Sequence, residues 1–186
     1  MTIAFTGGGS GGHFYPIIAI AEALNDLVRE ERLLAPKLYY LSPGSFDEKA
    51  LFENGITHIR TPAGKMRRYA SFLNVTDLFI TLFGIISATI TLFRLYPDVV
   101  ISKGGYGSVP TVVAARLLRI PLIIHESDAR PGRANLLAAP WATKIAISFE
   151  SAAALFPEKV RGKIARTGIP IRKALMRVES EGARQY

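Results

Sequence analysis

The sequence predicts an α/β protein built on a Rossmann-like, doubly wound parallel sheet. Short apolar runs alternate with helical patterns along the 186 residues, which is typical of a parallel sheet covered by helices. A glycine-rich segment at 7–12 stands between the first apolar run and the first helical pattern, as in a βαβ unit. The 49% of hydrophobic residues can form a sizeable core and exclude general disorder. The absence of cysteine excludes disulfides, thiolate metal sites and a cysteine nucleophile.

Each element follows from a local pattern. Strands are predicted near 2–6, 37–42, 56–60, 98–102, 121–125 and 143–148. The first helix is predicted to begin at Pro16, because proline is favoured at the first helical position. Four more helices are predicted at 45–54, 71–95, 109–119 and 132–140. The last twenty residues are charged and lack strong periodicity, so residues 1–165 are predicted to form the domain and 166–186 a linker or the start of a further domain.

The first glycine-rich loop, GGGSGGH at 7–13, satisfies the dinucleotide-binding spacing of glycines. The second predicted strand ends in Leu41, Ser42 and Pro43, where a nicotinamide-binding domain would carry an acid for the ribose. No Gly-Lys-Ser/Thr follows the glycines, which excludes a P-loop. The loop therefore predicts an anion or polar-oxygen site at a helix start without a nicotinamide cofactor.

A second glycine-rich loop, SKGGYGS at 102–108, follows the fourth predicted strand. In a sheet of order 3-2-1-4-5, strands one and four are neighbours at the switch point, where ligands bind. Both loops are therefore predicted to open onto one crevice.

His13 is the candidate general base. It stands at the predicted helix start, where the helix dipole favours the neutral imidazole, which can accept a proton. The alternative is a histidine that only caps the helix or bonds a backbone group. His125 and Glu126, at the end of the fifth strand, are more readily interpreted as structural, and His58 lies away from the loops and is assigned no role.

Basic charge is concentrated in the later part of the chain. Residues 1–60 carry 5 basic and 7 acidic side chains, whereas residues 61–186 carry 18 and 8. Such a surface suits nucleic acid, an anionic membrane or a phosphorylated substrate. No nucleic-acid-binding module is recognisable, so nucleic acid is not an expected partner.

Residues 78–93 form an uncharged apolar run between Asp77 and Arg94. At 16 residues a helix is about 24 Å long, short of the ~30 Å hydrocarbon core, so a membrane span is not expected. The run could simply pack on the sheet, but it is apolar nearly all round, which is more than packing requires. A basic and aromatic cluster precedes it and suits lipid headgroups. The residues expected to contact an anionic membrane surface are Lys65, Arg67, Arg68, Phe72, Phe79 and Phe83.

Three blocks occur in order along the chain: GGGSGGHFYP, then DVVISKGGYGSVP running on to HESDARPGRANLLAA, then TGIPIR. Together they resemble the N-terminal half of the MurG family, the UDP-N-acetylglucosamine transferases of peptidoglycan synthesis. The resemblance implies the acceptor domain of an inverting family 28 glycosyltransferase with the GT-B fold. It implies transfer of GlcNAc from UDP-GlcNAc to the C4 hydroxyl of the MurNAc sugar of lipid I, undecaprenyl-pyrophosphoryl-MurNAc-pentapeptide, to form lipid II. The enzyme would act at the cytoplasmic face of the cell membrane, with no cofactor and no metal ion.

The resemblance also implies roles for individual residues. His13 matches the general base of the family, and Glu126 matches the acid of its HEQN stretch and is a second catalytic candidate. Arg172 would lie near the donor nucleotide, where a guanidinium can pair with a diphosphate. The residues that would bind the acceptor diphosphate are Ser10, Gly11, Gly12, Lys103, Gly104, Gly105 and Tyr106.

Five positions depart from the family pattern. Ser10 replaces threonine and keeps the hydroxyl, and Lys103 stands where the family has methionine. Ser127 and Asp128 replace glutamine and asparagine, and Ile169 replaces asparagine. The UDP-sugar domain of the family does not fall within these residues, so the chain alone is expected to be inactive. Two alternatives remain: a non-catalytic membrane adaptor of a split glycosyltransferase, and a transferase that uses diacylglycerol as acceptor. His13 argues against a pure adaptor, which needs no base.

Overall fold

The strands of the computed structural model, which describes residues 1–8, 10–65 and 72–176, are all parallel. Their bounds are β1 Thr2–Thr6, β2 Lys37–Ser42, β3 Ile56–Arg60, β4 Val99–Ser102, β5 Leu122–Glu126, β6 Lys144–Ile147 and β7 Ile164–Arg166. They form one sheet in the order β3-β2-β1-β4-β5-β6-β7. The predicted doubly wound α/β sheet is therefore confirmed, with β1 and β4 adjacent at the switch point.

The helices alternate with the strands along the chain. Their bounds are α1 Gly11–Glu30, α2 Glu48–Glu53, α3 Leu73–Leu95, α4 Val109–Leu117, α5 Arg133–Ala138, α6 Glu150–Ala153 and α7 Lys173–Met176. Short 3-10 turns lie at Tyr106–Ser108 and Glu158–Lys163. All five predicted helices are present, and the bounds of α2 to α5 lie within three residues of those predicted.

The predicted start of α1 at Pro16 is wrong, because the helix begins five residues earlier at Gly11. Proline lacks the N–H that would bond the carbonyl of Gly12 four residues before it. Gly12 is exposed, so water can satisfy that carbonyl and the helix continues through the proline. The early start places Gly11, Gly12 and His13 within the first turn.

The strand β7 was not predicted, and it crosses the expected domain boundary at residue 165. Its three residues pair with β6 through Ile164, Ala165 and Arg166. The three-residue strand is too short to produce a detectable alternation of apolar and polar residues.

The core has two parts, one on each face of the sheet. On one face α1 and α2 cover β1, β2 and β3 with large side chains such as Phe14, Ile17 and Tyr40. On the other face the core is built from β4, β5 and β6 with α3, α4 and α5. Because both faces are covered, strands such as β1 read as continuous apolar runs.

The helix α3 buries only a narrow strip of its surface. Asp77, Gly84, Ala88 and Leu92 are the buried residues of the strip. A methyl group on Gly84 would collide with the carbonyl of Pro62, so the glycine allows the segment after β3 to approach the helix closely. The opposite side of α3 is apolar and exposed.

Candidate functional site

The two glycine-rich loops meet above the carboxyl end of β1. We call residues 7–12 loop 1 and residues 103–108 loop 2; Gly9 lies outside the described residues. A methyl group on Gly8 would lie 3.2 Å from the Cα of Gly107. Gly104 and Gly105 have φ angles of +78° and +80°, which side-chain-bearing residues rarely adopt. The two loops are therefore neighbours at the switch point, as the sheet order predicts.

His13 lies in the first turn of α1 and faces loop 2. Its Nδ1 lies 3.1 Å from the carbonyl oxygen of Lys103. A carbonyl can only accept, so Nδ1 carries the proton and Nε2 of the neutral ring keeps a free lone pair. A methyl group on Gly105 would lie 3.3 Å from Nε2, and among the described residues none is a hydrogen-bond partner of that atom. The ring therefore presents a proton acceptor at the meeting point of the two loops.

The side chain of Lys103 points away from that meeting point. It is 2% exposed, and its ammonium donates to Nδ1 of His125 at 2.8 Å and to Oγ of Ser127 at 2.6 Å. Burial lowers the pKa of the Lys103 ammonium to about 8, although the charges of Glu126 and Asp128 raise it in part. Lys103 was expected to bind the acceptor diphosphate. In the structure its ammonium instead donates to His125 at the end of β5 and to Ser127 in the loop after it.

His125 is buried with both ring nitrogens engaged. Nδ1 accepts from Lys103, and Nε2 lies 3.1 Å from the carbonyl oxygen of Gly168, to which it donates. Burial, followed by the nearby charge of Lys103, lowers the pKa of the His125 imidazole to about 4. The interpretation of His125 as structural agrees with this arrangement.

Glu126 holds the loop after β5. Its Oε1 accepts from the backbone N–H of Asp128 at 3.0 Å, and its Oε2 accepts from Gly132 N–H at 2.8 Å and from Nδ2 of Asn135 at 2.9 Å. Those bonds and 4% exposure suit a carboxylate that fixes a loop, not one that exchanges protons with a substrate.

Asn135 was missed by the sequence reasoning. It is the last residue of the HESDARPGRAN stretch, lies in α5 and is 2% exposed. Its Nδ2 also donates to the carbonyl of His125, and a methyl group on Gly104 would lie 2.8 Å from its Oδ1. The asparagine therefore connects the end of β5 to loop 2, and only its polarity within a helical apolar pattern could have indicated it.

Tyr106 and Lys65 lie together at the edge of loop 2. The ammonium of Lys65 is 5.4 Å from the centroid of the Tyr106 ring. This pairing joins an expected membrane residue to an expected acceptor-binding residue. Ser10, another expected acceptor contact, precedes α1; its carbonyl accepts from the N–H of His13 and of Phe14, and its side chain is exposed.

Arg172 lies over the ring of Tyr15, with its guanidinium carbon 3.9 Å from the ring centroid. Next to it, the backbone N–H of Lys173 donates to Glu22 at 2.8 Å, and the Lys173 ammonium pairs with Asp26. These contacts hold the segment after β7 against α1. The expected linker 166–186 is thus partly docked, and residues 177–186 lie outside the described part.

The three phenylalanines expected at the membrane are all exposed. Phe72, Phe79 and Phe83 have exposed fractions of 95%, 65% and 63%. The other two expected contacts, Arg67 and Arg68, lie outside the described residues. The whole of α3 is 23 residues long, about 34 Å, so it is longer than the uncharged run suggested and is long and apolar enough to cross a membrane by length and composition alone.

A separate groove of about 410 Å³ lies on the α1 side of the sheet. It is lined by apolar residues of α1, β4, β5 and β6 and by the segment 167–171. Its position is distinct from the meeting point of loops 1 and 2. Within the described residues no group of three or more histidine or acidic side chains is placed to hold a metal ion.

The doubly wound sheet with two glycine-rich loops at its switch point defines a Rossmann-like domain of the GT-B glycosyltransferase class. The chain belongs to glycosyltransferase family 28, whose N-terminal domain model matches residues 3–147.

Within that family, the chain is similar to the enzymes named UDP-N-acetylglucosamine--N-acetylmuramyl-(pentapeptide) pyrophosphoryl-undecaprenol N-acetylglucosamine transferase. It is 35% identical to the one from Treponema denticola, over 99% of this chain and 48% of the relative. It is 41% identical to the one from Borreliella afzelii, over 94% of this chain and 47% of the relative. The chain therefore spans about half the length of the curated relatives that it matches.

Solved structures agree with the fold. The crystal structure of Acinetobacter baumannii MurG superposes with a TM-score of 0.68 at 25% identity, over 92% of this chain and 46% of that chain. A UDP-GlcNAc 2-epimerase from Methanocaldococcus jannaschii superposes with a TM-score of 0.65 at 16% identity, over 91% and 46%, which is a likeness of fold alone.

Proposed function

We propose that the chain is the acceptor half of an inverting transferase that moves GlcNAc from UDP-GlcNAc to the C4 hydroxyl of the MurNAc sugar of lipid I, giving lipid II. The names of the relatives support peptidoglycan GlcNAc transfer, and their greater length supports a donor site outside these residues. The same names do not favour the membrane adaptor or the diacylglycerol transferase.

The observation that carries the proposal is the state of the His13 ring. With its Nδ1 proton bonded to the Lys103 carbonyl, Nε2 is the basic atom and faces the place where the loops meet. In the reaction, Nε2 takes the proton of the C4 hydroxyl. The hydroxyl oxygen then bonds to C1 of GlcNAc from the face opposite UDP. The C1–phosphate bond breaks and UDP leaves with the electron pair, which inverts C1.

The loops supply the place for the acceptor diphosphate. The glycines of the two loops let their backbones pack closely together, since a methyl group on Gly8 would lie 3.2 Å from the Cα of Gly107. At Gly12 the nearest atom to such a methyl group is Oγ of Ser10 at 3.8 Å, so a charged group can approach the backbone there. The start of α1 adds the positive end of a 20-residue helix dipole. Arg172, on the other side of Tyr15, is the candidate for the donor diphosphate.

The test of the reaction supplies the chain with a donor domain, fused or separate, and measures GlcNAc transfer from UDP-GlcNAc to lipid I. His13→Ala is expected to lower the rate by about 10²- to 10⁴-fold, the range for a general base. His58→Ala is the matched control, since His58 lies in β3 and bonds Ser42. Full activity of His13→Ala would remove the base assignment, and no transfer by the wild type would remove the proposed function.

We further propose that α3 docks the protein on the cytoplasmic face of the cell membrane as a peripheral helix. Its most apolar 18-residue stretch is only 17% buried, and its exposed side carries Phe79, Phe83 and Ile86. The buried strip that includes Gly84 fastens α3 to α4 and to the segment after β3. A helix fastened along one side can insert its other side into the interface without leaving the domain.

Vesicle flotation tests the docking. Phe79→Ser combined with Phe83→Ser is expected to reduce binding to anionic vesicles by more than about tenfold, because two large apolar side chains leave the lipid. Phe52→Ser is the matched control, since Phe52 is 86% exposed on α2. Equal losses in both variants would contradict docking through α3.

A further inference from the structure

Lys65 lies between two features that the proposed function uses separately. Its ammonium is 5.4 Å from the ring centroid of Tyr106 in loop 2. Along the chain it precedes the exposed Phe72 and the start of α3. The lysine therefore lies at the edge of loop 2, next to the residue that contacts α3.

The backbone that carries Lys65 is fixed to α3. The N–H of Gly64 donates to Oγ1 of Thr81 at 3.1 Å, and that hydroxyl donates to the carbonyl of Asp77 at 2.8 Å. A methyl group on Gly64 would collide with the backbone of Asp77. The side chain of Lys65 thus extends toward Tyr106 from a backbone segment that is held against α3.

The charge of Lys65 is available to a ligand. Its side chain is exposed, and within the described part of the chain it forms no ion pair with a carboxylate. The Tyr106 ring attracts the ammonium and orients it, but an aromatic face does not use up its three N–H donors. Lys103 does not supply a charge here, because its ammonium is directed at His125 and Ser127.

We infer that Lys65 binds the diphosphate of the lipid-linked acceptor and is not a general phospholipid contact. This inference rests on the proposed function, which places that diphosphate where loops 1 and 2 meet. A diphosphate carries more negative charge than backbone N–H groups balance, and an ammonium at the edge of loop 2 complements it. The sequence grouped Lys65 with Arg67 and Arg68 as residues that contact the membrane surface. The contact of Lys65 with Tyr106 instead places its ammonium beside the proposed binding site of one acceptor molecule.

Binding of the purified chain to zwitterionic vesicles that contain a few per cent of undecaprenyl diphosphate tests this role. Lys65→Gln is expected to weaken binding by about tenfold, the effect of one charge-assisted contact, and Lys65→Arg is expected to retain most of it. Lys144→Gln, the same change at the amino end of β6 and so at the opposite edge of the sheet, is expected to have no effect. Inorganic pyrophosphate should compete, and UDP-GlcNAc should not.

Comparison vesicles identify the source of the phosphate. On vesicles that carry phosphatidylglycerol in place of undecaprenyl diphosphate, Lys65→Gln and Lys144→Gln are expected to bind alike. A loss for Lys65→Gln that is as large on phosphatidylglycerol as on undecaprenyl diphosphate overturns the inference, as does an equal loss for Lys144→Gln. Unchanged thermal unfolding of Lys65→Gln shows that the fold is intact.

Transfer activity separates this inference from the proposed function. If the chain with a donor domain transfers GlcNAc to lipid I and Lys65→Gln keeps the wild-type KM for lipid I, the inference alone fails. A raised KM for lipid I with an unchanged KM for UDP-GlcNAc supports it. If the wild type neither transfers GlcNAc nor prefers undecaprenyl diphosphate over undecaprenol, both fail.

Discussion

His13 and His125 stand at the same edge of the sheet, yet their surroundings differ in every respect that matters for proton transfer. His13 has one ring nitrogen bonded to a carbonyl and the other facing the crevice. His125 has both nitrogens bonded, one to the Lys103 ammonium and one to the Gly168 carbonyl. Lys103 serves both rings, the first through its backbone and the second through its side chain. A histidine at a ligand-binding edge is thus a base only where one nitrogen is left unbonded.

The largest effect is expected from Gly105→Ala, which places a methyl group in front of the His13 ring. That methyl would lie 3.0 Å from Cδ2 of His13 and would collide with the carbonyl of Gly8, and the φ of +80° adds strain of about 1–3 kcal/mol. Transfer activity should fall at least about hundredfold, because displacement of a catalytic group by about 1 Å costs that much. Gly162→Ala is the control, since nothing lies within 4 Å of a methyl group there. Wild-type activity in Gly105→Ala would show that the crevice before His13 is not the reaction site.

A smaller effect, on folding, is expected from His125→Ala. The variant removes one acceptor from the buried ammonium of Lys103 and one donor from the carbonyl of Gly168, which keep Ser127 and Ser148 as side-chain partners at 2.6 Å and 3.1 Å. The free energy of unfolding should therefore fall by about 1–3 kcal/mol. Urea denaturation measures the loss. The rate of transfer by the remaining folded enzyme should stay close to that of the wild type. If stability is unchanged and transfer is lost, the roles of the two histidines are reversed.

The pH dependence of stability tests the shared lysine. The folded pKa of His125, about 4, lies below its unfolded value of about 6.5, so the unfolded chain binds the extra proton and stability should rise between those pH values. By the same sign, the Lys103 pKa of about 8 lies below an unfolded value of about 10.4, and stability should rise again from pH 8 to 10.4. Each rise is at most about 3 kcal/mol.

Lys103→Met should abolish the alkaline rise. It should also narrow the acidic pH range over which stability rises, because the charge of Lys103 helps to lower the pKa of His125. Urea unfolding at a series of pH values measures both changes. An alkaline rise that persists in Lys103→Met would assign it to another group.

The smallest effect is expected from Lys173→Ala. Lys173 pairs with Asp26 on α1, and both side chains are partly exposed, so the pair should contribute less than about 1 kcal/mol. Lys49→Ala is the control, since it breaks an exposed pair with Glu53. NMR titration of His125 measures a second quantity. Its pKa should be unchanged in Lys173→Ala; a further fall would show that this pair holds the Gly168 carbonyl against the ring, because the hydrogen bond to that carbonyl raises the pKa of His125.

Much of the fold could be predicted because its strands are buried on both faces. Runs such as those of β1 and β5 are apolar throughout and end in polar or glycine residues, so their bounds were accurate to one residue. The predicted start of α1 was wrong because Pro16 is a residue type favoured at the first helical position. Gly11 and Gly12 are poor helix formers and gave no sign that the helix begins before the proline. The strand β7 was too short to produce a pattern.

The site was predictable only as far as the backbone of the loops determined it. The glycines of loops 1 and 2 indicated that the loops lie together, and His13 contacts loop 2 through the carbonyl of Lys103. The direction of a long side chain cannot be read from its position, so Lys103 was expected at a phosphate, although its ammonium lies against His125. Contacts between distant segments, such as Lys65 with Tyr106 and Asn135 with Glu126, leave no local signal.

The close approach of Gly84 to Pro62 divides α3 into positions of two kinds. A larger side chain at Gly84 would force the helix away from the domain, whereas positions such as Phe79 and Phe83 are exposed. Substitutions at the exposed positions should change affinity for lipid while the melting temperature stays constant, and substitutions at Gly84 should do the reverse. A mutational scan along this one helix would therefore separate the requirements of folding from those of the membrane.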